Sequence, residues 1–176
     1  MHSHTDAAYY IGHFPKDVVA VEFGNGITRI GNSAFKDCID LTEIVIPDGV
    51  TSIGEEAFSG CTGLTSITIP DSVTSIGEYA FYSCSGLTSV TIGDGVTSIG
   101  YRAFEGCDNL MSVYISDIIA WCQIEFVSDH WAPLGSNPLA NGGTLYLNNE
   151  QPTEIVIPDG VTSIGCAAFY GCDQIT

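Results

Sequence analysis

The chain has 176 residues, the size of one domain, and carries 21 acidic against 4 basic side chains for a net charge of −17. Such a surface repels phosphate backbones and anionic lipid headgroups, which argues against nucleic-acid and membrane-surface binding. No apolar run approaches the ~20 residues of a transmembrane helix, and the opening MHSHTDAAYY lacks the basic-then-apolar order of a signal peptide.

In chain order, residues 1–17 fit no repeat and are expected to be an N-terminal cap, with Ile11, Phe14 and Val18 covering the first coil, or a tail. A degenerate unit spans 18–40, with Gly24-Asn25-Gly26 as its turn. Three regular units come after it at 41–63, 64–86 and 87–109, led by Leu41, Leu64 and Leu87 at a step of 23 residues. Within 64–86, Ile67 and Ile69 alternate with Ser66 and Thr68, the period of a half-buried strand. Pro70-Asp71-Ser72 makes a turn. Val73 to Ile76 is a second short extended piece, closed by Gly77. Ala80, Phe81, Cys84 and Leu87 then fall at helical spacing, which predicts one or two helical turns held by packing.

The unit at 110–152 is enlarged. It predicts a short amphipathic helix after an N-cap at Ser116, with Ile118, Ile119, Trp121 and Cys122 on its apolar side. A loop with one helical turn near 137–140, a strand at 144–147 and a two-residue turn at Asn148-Asn149 come next. The regular letters return in 153–176, and the chain ends where another unit would begin. The expectation is therefore a piece of a longer array.

No unit of this size buries its own apolar stripe, whereas stacked copies do, because each coil covers the next and adjacent strands pair in parallel. The predicted fold is a repeat solenoid of right-handed leucine-rich-repeat type, with short parallel strands, short helical turns and one enlarged coil. Phe58, Phe81, Phe104 and Phe169 should share one buried column. Outward strand positions form two rows: Ala20, Glu43, Ser66, Ser89, Ser112, Glu154, and Glu22, Val45, Thr68, Thr91, Tyr114, Val156.

The pattern L-x-x-I-x-I-P-x-x-V-x-x-I-G-x-x-A-F-x-x-C stands in full at Leu64–Cys84. It is nearly complete at Leu41–Cys61 and at Leu87–Cys107, where Gly93 takes the Pro slot. This resembles the BspA-like leucine-rich repeats, over about nine tenths of the chain. The enlarged coil, with SDIIAWCQIEF, NPLANGG and TLYLN, resembles a module found within such arrays. The resemblance implies a curved solenoid from a secreted or surface protein of host-associated microbes. It also implies adhesion, including binding of matrix proteins and of other cells. It brings no shared catalytic residues, and its motif positions are mostly core.

The residues themselves point to no chemistry. Cys38, Cys61, Cys84, Cys107 and Cys172 share one slot; parallel Cβ vectors stacked in register rarely suit a disulfide, so they read as reduced core thiols. Cys166 replaces surface residues such as Glu55 and Glu78 and is the thiol expected to be exposed. The turn acids Asp48, Asp71, Asp94 and Asp159 lack the glycine-rich loops of calcium solenoids. His2, His4, His13 and His130 show no zinc-ligand spacing. No serine sits in G-x-S-x-G, and GNGITRIG has neither Walker nor Rossmann spacing. No cofactor and no metal are expected, and an enzyme is not.

The expected function is a non-enzymatic extracellular module that binds a host or matrix protein or a cell-surface glycan. Its candidate contact residues are Ser66, Thr68, Ser89, Thr91, Ser112 and Tyr114 on the strand face, with His130 and Trp131 in the bulge. The acidic surface favours basic partners. The alternative is a structural spacer in a larger surface protein, with no ligand of its own.

Overall fold

The computed structural model describes residues 15–24, 26–128 and 135–172. It is a parallel-strand solenoid of about five turns with little helix. Each regular coil has three segments: a first strand, a second strand and a run of turns.

The first strands are β1 (Ala20–Val21), β3 (Glu43–Ile44), β5 (Ser66–Ile69), β7 (Ser89–Ile92), β9 (Ser112–Ile115) and β11 (Thr144–Leu147). β1 pairs with β3, and β5, β7, β9 and β11 form a four-stranded parallel sheet. The second strands are β2 (Arg29–Ile30), β4 (Ser52–Ile53), β6 (Ser75–Ile76), β8 (Ser98–Ile99) and β10 (Glu125–Phe126), which form one five-stranded parallel sheet. Identical letters face each other in register, Ser66 opposite Ser89 and Ile76 opposite Ile99. A slip by one residue would turn every isoleucine to water, so the buried face fixes this register.

The third segment departs from the helical turns that the spacing predicts. No α-helix forms among the described residues of the regular coils; α1 (Ile118–Gln123) lies in the enlarged coil. The segment after Gly54, Gly77 or Gly100 is instead a run of turns in which Glu56, Tyr79 and Arg102 take left-handed backbone angles, φ 53°, 55° and 52°. Alternating conformations point the amides of every second residue toward the next coil. Phe35 N–H donates to Ala57 O at 2.7 Å, Phe58 N–H to Ala80 O at 2.7 Å and Phe81 N–H to Ala103 O at 2.8 Å. Hydrogen bonds between coils thus replace those a helix would make within itself.

Phe35, Phe58, Phe81 and Phe104 stack with centroids 5.1–5.2 Å apart, and all four are buried. Phe169, expected in the same column, is only half-buried and packs against the core from its edge. The enlarged coil comes between Phe104 and Phe169: there Leu139 is fully buried, and the amide of Asn141 donates to Phe104 O at 3.1 Å.

The cysteine ladder has a reason beyond size. Three of its thiols donate to the phenylalanine carbonyl of the preceding coil: Cys61 to Phe35 O at 3.0 Å, Cys84 to Phe58 O at 3.0 Å, Cys107 to Phe81 O at 3.1 Å. None of the seven cysteines forms a disulfide, and Cys166 alone among them is exposed, the one expected to be so. Iodoacetamide should therefore modify the native protein first at Cys166, with the remaining thiols reacting only in denaturant; peptide mass mapping reads this directly.

Burial raises the Cys61 thiol to about 12 from its ordinary 9.0, with the neighbouring Cys38 adding to the shift. Cys84 is also pushed well up, by its hydrogen bond to Cys107 and then by burial. A raised folded-state value means the folded chain holds the proton more tightly than the unfolded one. This stabilisation is whole below about pH 9 and falls as the pH rises toward 12. Urea midpoints should drop above about pH 9, and the drop should shrink in Cys61→Ala/Cys84→Ala, which removes two of the thiols responsible.

Two details of the enlarged coil differ from expectation. Asp117, not Ser116, caps α1, accepting from Ile119 N–H at 2.7 Å, while Ser116 bonds the Asp94 carboxylate at 2.8 Å. β11 takes the place beside β9, whereas 153–157 forms no strand. The 3₁₀ turn Pro138–Asn141 and the Asn148-Asn149 turn, both of whose residues have positive φ, form as expected. The last coil docks through side chains: Trp121 Nε1 donates to Ala168 O at 3.0 Å, and Asn137 Nδ2 to Ala167 O at 2.6 Å.

Candidate functional site

Alternation on β5, β7 and β9 buries Ile67, Ile69, Val90, Ile92, Val113 and Ile115, so the residues between them must face outward. Six of the eight candidate residues meet on this face. Ser66, Ser89 and Ser112 form one row and Thr68, Thr91 and Tyr114 the next, each in direct cross-strand register. Ser66 and Thr68 are exposed; the other four are half-buried. His130 and Trp131 lie outside the described residues.

The rows do not continue into Glu154 and Val156. They continue into Thr144 and Tyr146 of β11, which pair with Ser112 and Tyr114. Tyr146 stacks on Tyr114 at a centroid distance of 4.8 Å and 22° between ring planes. The alternation in TLYL, matching SVYI, carried this signal, but TEIVI carries it equally well. The exposed Val45 and Val156 lie outside this sheet, at 69% and 73% exposure.

The face carries hydroxyls and aromatic rings, which bind by hydrogen bonding and by apolar contact. Threonines just outside it are committed to the scaffold: Thr88 Oγ1 donates to Thr65 O at 3.0 Å, and Thr74 Oγ1 to Thr51 O at 3.2 Å. A shallow cavity of about 400 Å³ opens elsewhere, between β10 and residues Ser163, Gly165 and Cys166. No cluster of three or more metal-ligating side chains occurs among the described residues. No helix among them is long and apolar enough to cross a membrane.

The BspA type leucine-rich repeat region matches residues 15–125 and 143–176 in six copies. The chain belongs to this family. It is similar to a leucine rich cell surface protein from Faecalibacterium prausnitzii, with 30% identity, a TM-score of 0.52, and coverage of 66% of this chain and 38% of that one. A leucine-rich repeat protein from Bacteroides ovatus matches at 28% identity and a TM-score of 0.50, over 93% of this chain and 47% of that one. The T. pallidum leucine rich repeat protein shares the fold at 24% identity and a TM-score of 0.53, covering 90% of this chain and 78% of that one. This chain thus spans less than half the length of the first two. A comparison with curated proteins gave no match. The segment between the two matched stretches, 126–142, belongs to the enlarged coil.

Proposed function

We propose that this chain of BspA-type repeats is a non-enzymatic interaction module that works outside the cell. It binds a protein, such as a matrix component, or a surface glycan through the outward face of β5, β7, β9 and β11. The observation that carries this reading is the continuous face of Ser and Thr rows ending in the stacked Tyr114–Tyr146 pair. A stacked aromatic pair on a rigid sheet has little conformational freedom left to lose on binding, and tyrosine is over-represented among residues that dominate interfaces. The similarity to a cell surface protein supports an extracellular location. His130 and Trp131 belong to the same proposal as further anchor residues.

The test is binding to arrays of matrix proteins and surface glycans, followed by Tyr114→Ser/Tyr146→Ser against the strongest partner. Affinity should fall at least about tenfold while thermal unfolding stays near that of the parent. A spacer without a ligand would give blank arrays.

A further inference from the structure

We propose that the turn segments of the second, third and fourth coils form a second docking surface, which takes a basic polypeptide segment. Its guanidinium or ammonium groups lie against Tyr79 and Tyr82 and pair with Glu55 and Glu78. This surface is on a different side of each coil from the strand rows. It shares with the reading above only the premise that the solenoid binds partners.

Three observations converge. First, stacking brings variable turn positions together. Tyr79 packs edge-to-face against Tyr82 and against Tyr101, with centroids 5.6 Å apart in each case. All three rings are half-buried, and the ladder of bonds between coils (Tyr79 N–H to Tyr101 O, 2.9 Å) holds their backbone rigid. Preordered tyrosines give a partner contact area at little entropic cost.

Second, the surface already displays its ligand chemistry within the chain. The Arg102 guanidinium lies over the Tyr101 ring at 4.9 Å, and its Nε is 3.0 Å from Glu105 Oε2. A cation between a tyrosine face and a carboxylate is thus what this patch accommodates.

Third, two acids here have no counter-ion among the described residues. Lys36 neutralises Glu56 at 2.5 Å and Arg102 neutralises Glu105. Glu55 and Glu78 are both exposed and occupy the same slot of adjacent coils, and neither belongs to any of these ion pairs. With 4 basic residues in the whole chain, these exposed carboxylates stay open to the cations of a basic partner.

The probe is a nona-arginine peptide, titrated by calorimetry at physiological salt into the whole chain. Tyr79→Asn/Tyr82→Ser leaves the net charge unchanged, and Asn tolerates the positive φ at position 79. It should weaken binding about tenfold. Glu55→Gln/Glu78→Gln should weaken it more than Glu154→Gln/Asp159→Asn, which removes the same charge elsewhere. Equal losses from the two charge pairs, no effect of the tyrosine pair, or no binding at all would overturn the proposal. Should the tyrosine variant unfold, ring resonances of the parent protein decide. Movement of Tyr79 and Tyr82 supports the proposal, and movement confined to Tyr114 and Tyr146 refutes it while leaving the strand-face reading intact.

Discussion

Phe81→Ala is expected to cost about 3–5 kcal/mol of folding stability. Phe81 is fully buried and stands in the middle of the ring column, 5.2 Å from Phe58 and 5.1 Å from Phe104. Its backbone is tied into the stack, since its carbonyl receives the Cys107 thiol and its amide donates to Ala103. The site therefore collapses poorly. A cavity there removes contacts from both flanking coils, and a solenoid's stability rests on such neighbour interfaces. Phe169→Ala, at the half-buried edge, should cost well under half as much. Urea unfolding of the two variants side by side measures the difference; equal losses would mean that the column is not where stability concentrates.

Gly77→Ala should be nearly as damaging, for an unrelated reason. A Cβ at position 77 would lie 2.6 Å from Glu55 N, 2.6 Å from Gly54 C and 2.9 Å from Gly54 O. All three are backbone atoms of the preceding coil, so no rotamer change relieves the clash, and the two coils must separate. The expected loss is about 1–3 kcal/mol or more, as for overpacked cores. Gly24→Ala serves as the control, because nothing lies within 4 Å of its would-be Cβ, and its unfolding midpoint should not move. Amide exchange gives a second readout. Protection should fall at Gly77 N–H, which donates to Ile53 O at 2.8 Å, and at its neighbours along the same ladder.

The two variants probe one distance from opposite sides. Parallel strands approach to about 4.8 Å, and every slot of the repeat is filtered by that spacing. Rings stack there, thiols reach the carbonyl of the preceding coil, and glycine is needed where two backbones would otherwise meet through a Cβ.

Period and residue type carried most of this scaffold in the sequence. A step of 23 residues with Ile67 and Ile69 alternating against Ser66 and Thr68 leaves stacking as the means of burying the stripe, and stacking in register places the six strand-face candidates in two rows. The conformation of the turn segment was not legible in the same way. Ala80, Phe81 and Cys84 have helical spacing, yet the Phe81 amide finds its acceptor in the neighbouring coil, as do those of Tyr79 and Ser83, which take left-handed angles. Local spacing cannot say whether a backbone bonds to itself or to the next coil.

The same holds for the end of the strand face. TLYL and TEIVI are both good strand sequences, and only the stacking of β11 on β9 decided that Tyr146, not Val156, lies beside Tyr114. The tyrosine cluster around Tyr79 was likewise invisible in one dimension. Tyr79 and Tyr101 lie almost a full repeat apart in the chain and become neighbours because the solenoid brings each slot back above itself once per coil. Repetition along the chain determined which residues are core. The winding of one coil on another determined which outward residues touch, because that contact depends on backbone pairing between segments far apart in sequence.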